Sequence, residues 1–299
     1  MKKKILLTGS GGFIGRNIKE SFLSEKYEIV APRSYELNLL DTNSVDEYLK
    51  DNHFDVVIHS ACKPGHRNAK DHNDLLSSNL RMFENLARNP NSYSKLINFG
   101  SGAIYNMYSD VTNAKEEDIY KKMGTDDHSF CKYVVAKRID ALNSCCRKFI
   151  DLNIFGIFGK YEDWEIRFPS NAICKVLHGL PITIRQNRKF SYLDVNDLMP
   201  ILEFFIENDV QYNSYNICPD KPTSLREVAE TVKQISCSDS DIIIGKDGFG
   251  YDYTGDNSRL HREFRELKFT DLRISLENLY NYYRENIQII DKNLLLEDK

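Results

Sequence analysis

The sequence lacks the marks of a membrane, nucleic-acid or metal protein. No apolar run approaches the roughly 20 residues of a bilayer span. The start, MKKKILL, imitates the basic region of a secretion signal, but its apolar run stops at once in a glycine loop. Positive charge is not in excess: the net charge is -4 and the pI about 6.0. A broad basic field for nucleic acid or an anionic membrane is therefore excluded, and an anionic ligand must be met by local arginines. The seven cysteines (62, 131, 145, 146, 174, 218 and 237) show no CxxC and no zinc spacing, so no metal site is expected. Adjacent Cys145 and Cys146 are poorly placed to pair, and reduced thiols in a cytoplasm are the economical reading. No repeat or low-complexity tract occurs, and 299 residues suffice for one large core with a smaller appended lobe.

What is present begins at the amino terminus. Residues 3–7 form a short apolar run of strand type, followed at once by TGSGGFIG, with Gly9, Gly12 and Gly15 at spacing three. A strand running into glycines and then a helix, over residues 12–24, lets backbone amides approach a pyrophosphate at the helix N-terminus. Gly9 permits the tight turn, Gly12 the close approach and Gly15 the packing of helix on strand. Further strand-like runs at residues 27–31, 56–60, 95–99 and 149–154 are separated by stretches long enough for crossover helices. This alternation predicts an α/β fold with a doubly wound parallel sheet, its ligands lying beyond the carboxyl ends of the strands. Ser101 follows one of those ends.

In KYVVAK, Tyr133 and Lys137 stand four residues apart and share a helix face. An ammonium beside a phenol favours the phenolate, so such a tyrosine can exchange protons near neutral pH. In a chain with 17 tyrosines about one such pair arises by chance, so the context of glycine loop and Ser101 carries the weight.

TGSGGFIG, the serine of GSGAIY and YVVAK, in that order, resemble the extended short-chain dehydrogenase/reductases that act on nucleotide sugars. Within them, RSYELNLLDTNSVDEYLKDNHFDVVIHSACKPG and FGKYEDWEIRFPSNAI resemble the GDP-fucose synthases, which epimerise and reduce a GDP-4-keto-6-deoxy sugar. The resemblance implies a Rossmann-type domain over residues 1–155, with 186–212 returning to it, and a smaller C-terminal α/β substrate lobe from 156–185 and 213–299. It implies Tyr133 as general acid, Lys137 tuning the phenol and holding the ribose, and Ser101 polarising the carbonyl. It extends the dinucleotide site to Phe13, Ile14, Ala61 and, at the adenine, Asp41. Asn79 matches a family asparagine near the site. NAD-selecting relatives carry an acidic residue after the second strand; here the segment reads APRS, so Arg33 favours NADP over NAD. Lys175, Arg185, Arg188 and Arg259 are the candidates for the substrate diphosphate, and Trp164 could stack on a base or fill the lobe core.

Two departures bear on activity. The cysteine and histidine that shuttle protons in GDP-fucose synthases are replaced at the substrate site by Ala103 and Asn171, neither of which titrates in the accessible range. The expectation is a reductase without 3,5-epimerase activity, unless His66 or His128 supplies a substitute acid or base. Gly102 and Ala103, where the dehydratase branch needs an acidic pair, disfavour dehydration. A 4-epimerase with retained NAD is the enzymatic alternative, and a non-catalytic dinucleotide sensor the alternative of another class. The resemblance further implies a homodimer through helices near residues 73–89 and 129–146, with a nucleotide-diphosphate sugar as the partner molecule.

Overall fold

The computed structural model describes residues 2–66, 68–69 and 73–296. Strand β1 (Lys4–Thr8) leads through the glycine loop into α1 (Phe13–Glu20) and α2 (Leu23–Lys26), then β2 (Glu28–Val30). Next come α3 (Thr42–Asp51), β3 (Phe54–His59), α4 (Leu75–Ala87), β4 (Tyr93–Ser101), β5 (Val111–Ala114), α5 (Asp127–Asn143) and β6 (Phe149–Ile154). The second half runs α6 (Phe168–Leu177), β7 (Ile182–Asn187), β8 (Lys189–Phe190), α7 (Leu198–Glu207), β9 (Ser214–Ile217), β10 (Thr223–Ser224), α8 (Leu225–Ser236), β11 (Ile242–Phe249), β12 (Tyr253–Gly255), α9 (Ser258–Glu263), α10 (Leu272–Glu285) and α11 (Lys292–Leu295).

Six strands form one parallel sheet in the order β2-β1-β3-β4-β6-β9. Alternating side chains serve its two faces, as the two-residue period of a strand requires. Ile5, Leu7, Ile58, Ile97 and Leu152 meet α1 and α7 on one face. Leu6, Val57, Leu96 and Phe149 meet α3, α4 and α5 on the other. Each such buried side chain stabilises the fold by roughly 1.5–3 kcal/mol. The chain reverses its direction of travel across the sheet between β1 and β3, so a crevice opens beyond their carboxyl ends, where open α/β sheets bind ligands.

The lobe contains two smaller sheets, β10-β8-β12-β5 and β11-β7, over a core shared by α6, α8 and α10. Helix α8 starts in a capping box, Ser224 accepting from the Glu227 amide at 3.2 Å while Glu227 accepts from the Ser224 amide at 2.7 Å. Two boundaries differ from the sequence expectation. Residues 214–217 are not lobe but the sixth strand of the main sheet, because β6 needs a hydrogen-bonding neighbour and SYNI supplies it in register from Asp151 with Ser214 to Ile154 with Ile217. Conversely, β5 leaves the amino-terminal half to pair with β12 of the lobe. Among the described residues no helix is long and apolar enough to cross a membrane, and no cluster of side chains could hold a metal ion. All seven cysteines are free.

Candidate active site

At the crevice the glycine loop is shaped by close approach. Gly9 has φ +70°, and a Cβ there would lie 2.6 Å from the Ala61 nitrogen, so the turn after β1 packs directly on the turn after β3. A Cβ on Gly15 would lie 2.3 Å from the Gly9 carbonyl oxygen, which allows no side chain between α1 and the loop. Gly12 caps α1 without a side chain, leaving the first-turn amides, at Phe13 and Ile14, to an external acceptor. The Arg33 guanidinium lies over this loop, 2.8 Å from where a Cβ on Gly11 would stand. A bare helix N-terminus, an uncrowded glycine and an adjacent arginine fit the phosphates of a dinucleotide. Asp41 caps α3, its carboxylate accepting from the Asn43 and Ser44 amides at 3.0 and 3.3 Å.

Ser101 ends β4, and its hydroxyl accepts from the Ala103 amide at 3.1 Å, opening a single turn over Gly102–Tyr105. The buried Tyr253 of β12 reaches the same point. Burial raises its phenol well above the usual range, and a hydrogen bond with Ser101 opposes that rise. Beneath lies a polar layer. Asn98 donates to Asp151 at 2.6 Å, and burial pushes Asp151 up to about 6 against that bond and the charge of Lys132. Gly100 is required above it, since a Cβ would meet both Asp151 and Asn153 at 2.7 Å.

Helix α5 distributes its groups unevenly. The Tyr133 ring is half-buried, edge-on to Tyr120 at 5.6 Å, and its hydroxyl has no hydrogen bond among the described residues. Lys137 places its ammonium 3.4 Å over the Tyr120 ring and 5.9 Å from that of Tyr133, while Tyr120 donates to Asp140. This group borders a cavity of about 380 Å³ lined by Tyr120, Asp140, Arg147, Tyr212 and Arg259. One turn nearer the helix N-terminus, Lys132 donates to the Phe99 carbonyl at 2.8 Å, two residues before Ser101. Its charge also bears on buried His59, whose imidazole burial pushes down to about 3 and whose Nδ1 meets the Thr8 hydroxyl at 2.9 Å. Lys132 thus reaches the carboxyl ends of β3 and β4. His128 lies in the first turn of α5. Its Nδ1 is buried with no hydrogen-bond partner among the described residues, and Gly65 packs on it, a Cβ there standing 3.3 Å from the His128 Cβ. Burial pushes its imidazole down to about 4, helped by Lys132, Arg167 and His66 and opposed by Asp126.

The basic residues separate in the same way. Arg188 stacks its guanidinium 4.6 Å over Phe190, with a buried Nε that has no partner among the described residues; burial lowers its pKa. Arg167, which the sequence reading passed over, acts with Arg188 on Tyr253 and Tyr192 and by itself on His128. Its only sequence signal is its position just before the FPSNAI helix. Arg185 is exposed on β7. Lys175 and Arg259 are corrections. Lys175 is 5% exposed and donates to Thr183 at 2.6 Å inside the lobe. Arg259 is 9% exposed, pairs with Glu117 at 2.5 Å and Glu116 at 3.6 Å, donates to the Ser214 carbonyl, and faces the ring of Tyr212. A guanidinium so committed does not receive a diphosphate.

Ala103 is buried, and Asn171 donates to the Trp164 and Glu165 carbonyls at 3.2 and 3.0 Å, fixing the loop before α6. Trp164 packs against the lobe core. Asn79 is buried and bonds both ways with the Lys63 backbone, tying down the turn after β3. In that same segment His66 lies 3.8 Å from Asp163.

Comparison with known proteins agrees with this architecture. The chain is 31% identical over 173 residues to the GDP-L-colitose synthase of Yersinia pseudotuberculosis, covering 54% of this chain and 56% of that one. It is 29% identical over 171 residues to the GDP-L-fucose synthase of Azorhizobium caulinodans, covering 54% of each. The chain thus spans about half the length of these curated relatives. In fold it superposes on the GDP-mannoheptose C4 reductase of Campylobacter jejuni with NADP bound, at a TM-score of 0.79 and 21% identity, covering 95% of this chain and 98% of that one. With its glycine loop, switch-point crevice and a family match over residues 5–218, the chain belongs to the NAD dependent epimerase/dehydratase family.

Proposed function

We propose that the protein is an NAD(P)H-dependent reductase of a nucleotide-diphosphate 4-keto-6-deoxy sugar, GDP-linked by preference. The observation that carries this reading is the glycine cradle at the switch-point crevice, supported by Ser101 at the end of β4 beside Tyr253, a phenol on which the charges of Arg167 and Arg188 act. The sequence similarity to a colitose and a fucose synthase supports the choice of substrate class.

The dinucleotide, when bound, supplies the hydride. Gly9, Gly12 and the amides at Phe13 and Ile14 would hold its pyrophosphate, Ala61 would line the turn beside it, and Arg33 would meet a 2′-phosphate, favouring NADP. Ser101 would donate to the sugar carbonyl and draw electron density toward the oxygen. Arg188 and Arg167 would take the substrate diphosphate, with Arg185 at its outer edge. The half-buried Arg188, without an acidic partner in contact among the described residues, suits an anion that arrives with the substrate. Ala103 carries no proton to exchange, and the Asn171 amide is engaged with backbone, so inversion at the flanking carbons by the usual pair is absent. Helices α4 and α5 would present the surface for the homodimer that the resemblance implies.

The test incubates the purified protein and NADPH with GDP-, dTDP-, UDP- and CDP-linked 4-keto-6-deoxy sugars in deuterated water. The expected result is loss of NADPH absorbance with the GDP-linked ketone and no deuterium on the flanking carbons. Deuterium there would restore the epimerase. Interconversion of an unmodified nucleotide hexose without added dinucleotide would replace the reductase by a 4-epimerase.

A further inference from the structure

Helix α5 holds two cation pairs at i,i+4 spacing, five residues apart: His128 with Lys132, and Tyr133 with Lys137. The second packs against Tyr120: its ammonium lies on that ring, its phenol ring stands edge-on to it with the hydroxyl unbonded among the described residues, and Tyr120 is tied to Asp140 beside the separate cavity. The first faces the crevice. Lys132 is held by the Phe99 carbonyl at the end of β4, and the turn that follows β3 closes over His128 at Gly65. Arg167, which acts on the Ser101-linked Tyr253, acts on His128 as well. The buried Nδ1 of His128 has no acceptor or donor among the described residues, as a group reserved for a ligand would.

We propose that His128, with Lys132 one turn behind it, exchanges the proton with the sugar oxygen, and that Tyr133 does not. This rests on the reading of the crevice as the site of carbonyl reduction. As hydride adds to the carbonyl carbon, the C=O π pair moves to oxygen, which takes the imidazolium proton; the alcohol, a neutral imidazole and the oxidised dinucleotide remain. The charges facing His128 are Lys132 on its own helix, Asp126 at the cap, Arg167 at the start of α6 and His66 from the turn after β3. Three of the four favour the neutral ring and so release of the proton, and an incoming anionic substrate loads it. Reduction driven by an imidazolium falls as pH rises through the ring's titration point.

The experiment compares His128→Asn, His128→Gln and Tyr133→Phe in the full chain, each checked for a wild-type melting profile. With NADPH and the GDP-linked ketone, the histidine variants should lose about 100-fold to 10,000-fold in kcat and Tyr133→Phe less than about threefold. Independently of turnover, nitrogen-15 NMR of the histidine rings should show the His128 signal moving on NADPH addition. Its titration point should rise in Lys132→Gln and stay put in Lys137→Gln. The reverse pattern, with Tyr133→Phe inactive and the His128 signal indifferent to NADPH, overturns the assignment. Should no offered sugar be reduced, the substrate reading fails, and the NMR arm still decides whether His128 and Lys132 face the dinucleotide.

Discussion

The amino-terminal turns of α5 and the turns just below them carry the same i,i+4 arrangement of a proton donor and a lysine, yet their surroundings differ. Lys132 ends on a strand carbonyl near Ser101, while Lys137 ends on the face of an aromatic ring. The side of Lys132 has a buried polar atom with capacity to spare, at His128 Nδ1. Around Lys137 most polar groups answer one another, Tyr120 with Asp140 and Arg259 with Glu117 and Glu116, although the buried Arg259 Nε makes no hydrogen bond among the described residues. Unsatisfied buried groups mark a place built for a ligand, and satisfied ones a place built to hold shape.

That contrast can be broken most forcefully at Arg259. Arg259→Met strands the buried Glu116 and should cost about 3–5 kcal/mol of stability, read by denaturant melts, with little change in KM. A large rise in KM at preserved stability would instead return Arg259 to the substrate. Next in size is the pH dependence set by Glu162. Burial pushes this carboxyl up to about 8 against an unfolded value near 4.5, although Ser170 donates to it. The folded chain therefore holds the proton more tightly. Its contribution is full below about pH 4.5 and is lost as pH rises through about 8. Glu162→Gln should raise Tm at pH 8.5 and leave it nearly unchanged at pH 5; equal shifts at both would contradict a neutral carboxyl.

A finer probe is dinucleotide affinity. Lys132→Gln should weaken NADPH binding by about tenfold, roughly 1.4 kcal/mol, and Lys137→Gln by less than about threefold, measured by fluorescence titration. Equal losses would erase the difference between the two turns. Arg33→Ala should lower the preference for NADPH over NADH by about the same tenfold. The smallest effect belongs to Tyr120→Phe, which removes only the hydroxyl bonded to Asp140 and should cost about 0.5–1.5 kcal/mol with kcat intact.

Much of the sheet was legible because strand periodicity and glycine spacing are local. The 149–154 run matches β6 residue for residue, and Gly9, Gly12 and Gly15 stand where a strand meets a helix. Strand β9 was missed because four residues carry too weak a pattern, and only pairing with β6 defines them. Lys175 was misleading as a ligand candidate, and of the two readings of Trp164 the structure shows core filling, since burial in the lobe is a property of its packing, not of their types. Arg167 was invisible for the converse reason: an arginine in a loop gains meaning only when Tyr253 and His128 are brought to it from β12 and α5.

The sequence by itself determined the doubly wound plan and the glycine turn, because backbone sterics and hydrophobic alternation act between near neighbours along the chain. Which lysine of α5 reaches the crevice, and which arginine is free to meet an anion, was decided by tertiary structure alone. Helical spacing repeats every turn, and only the strand ends and side chains packed against each turn tell them apart.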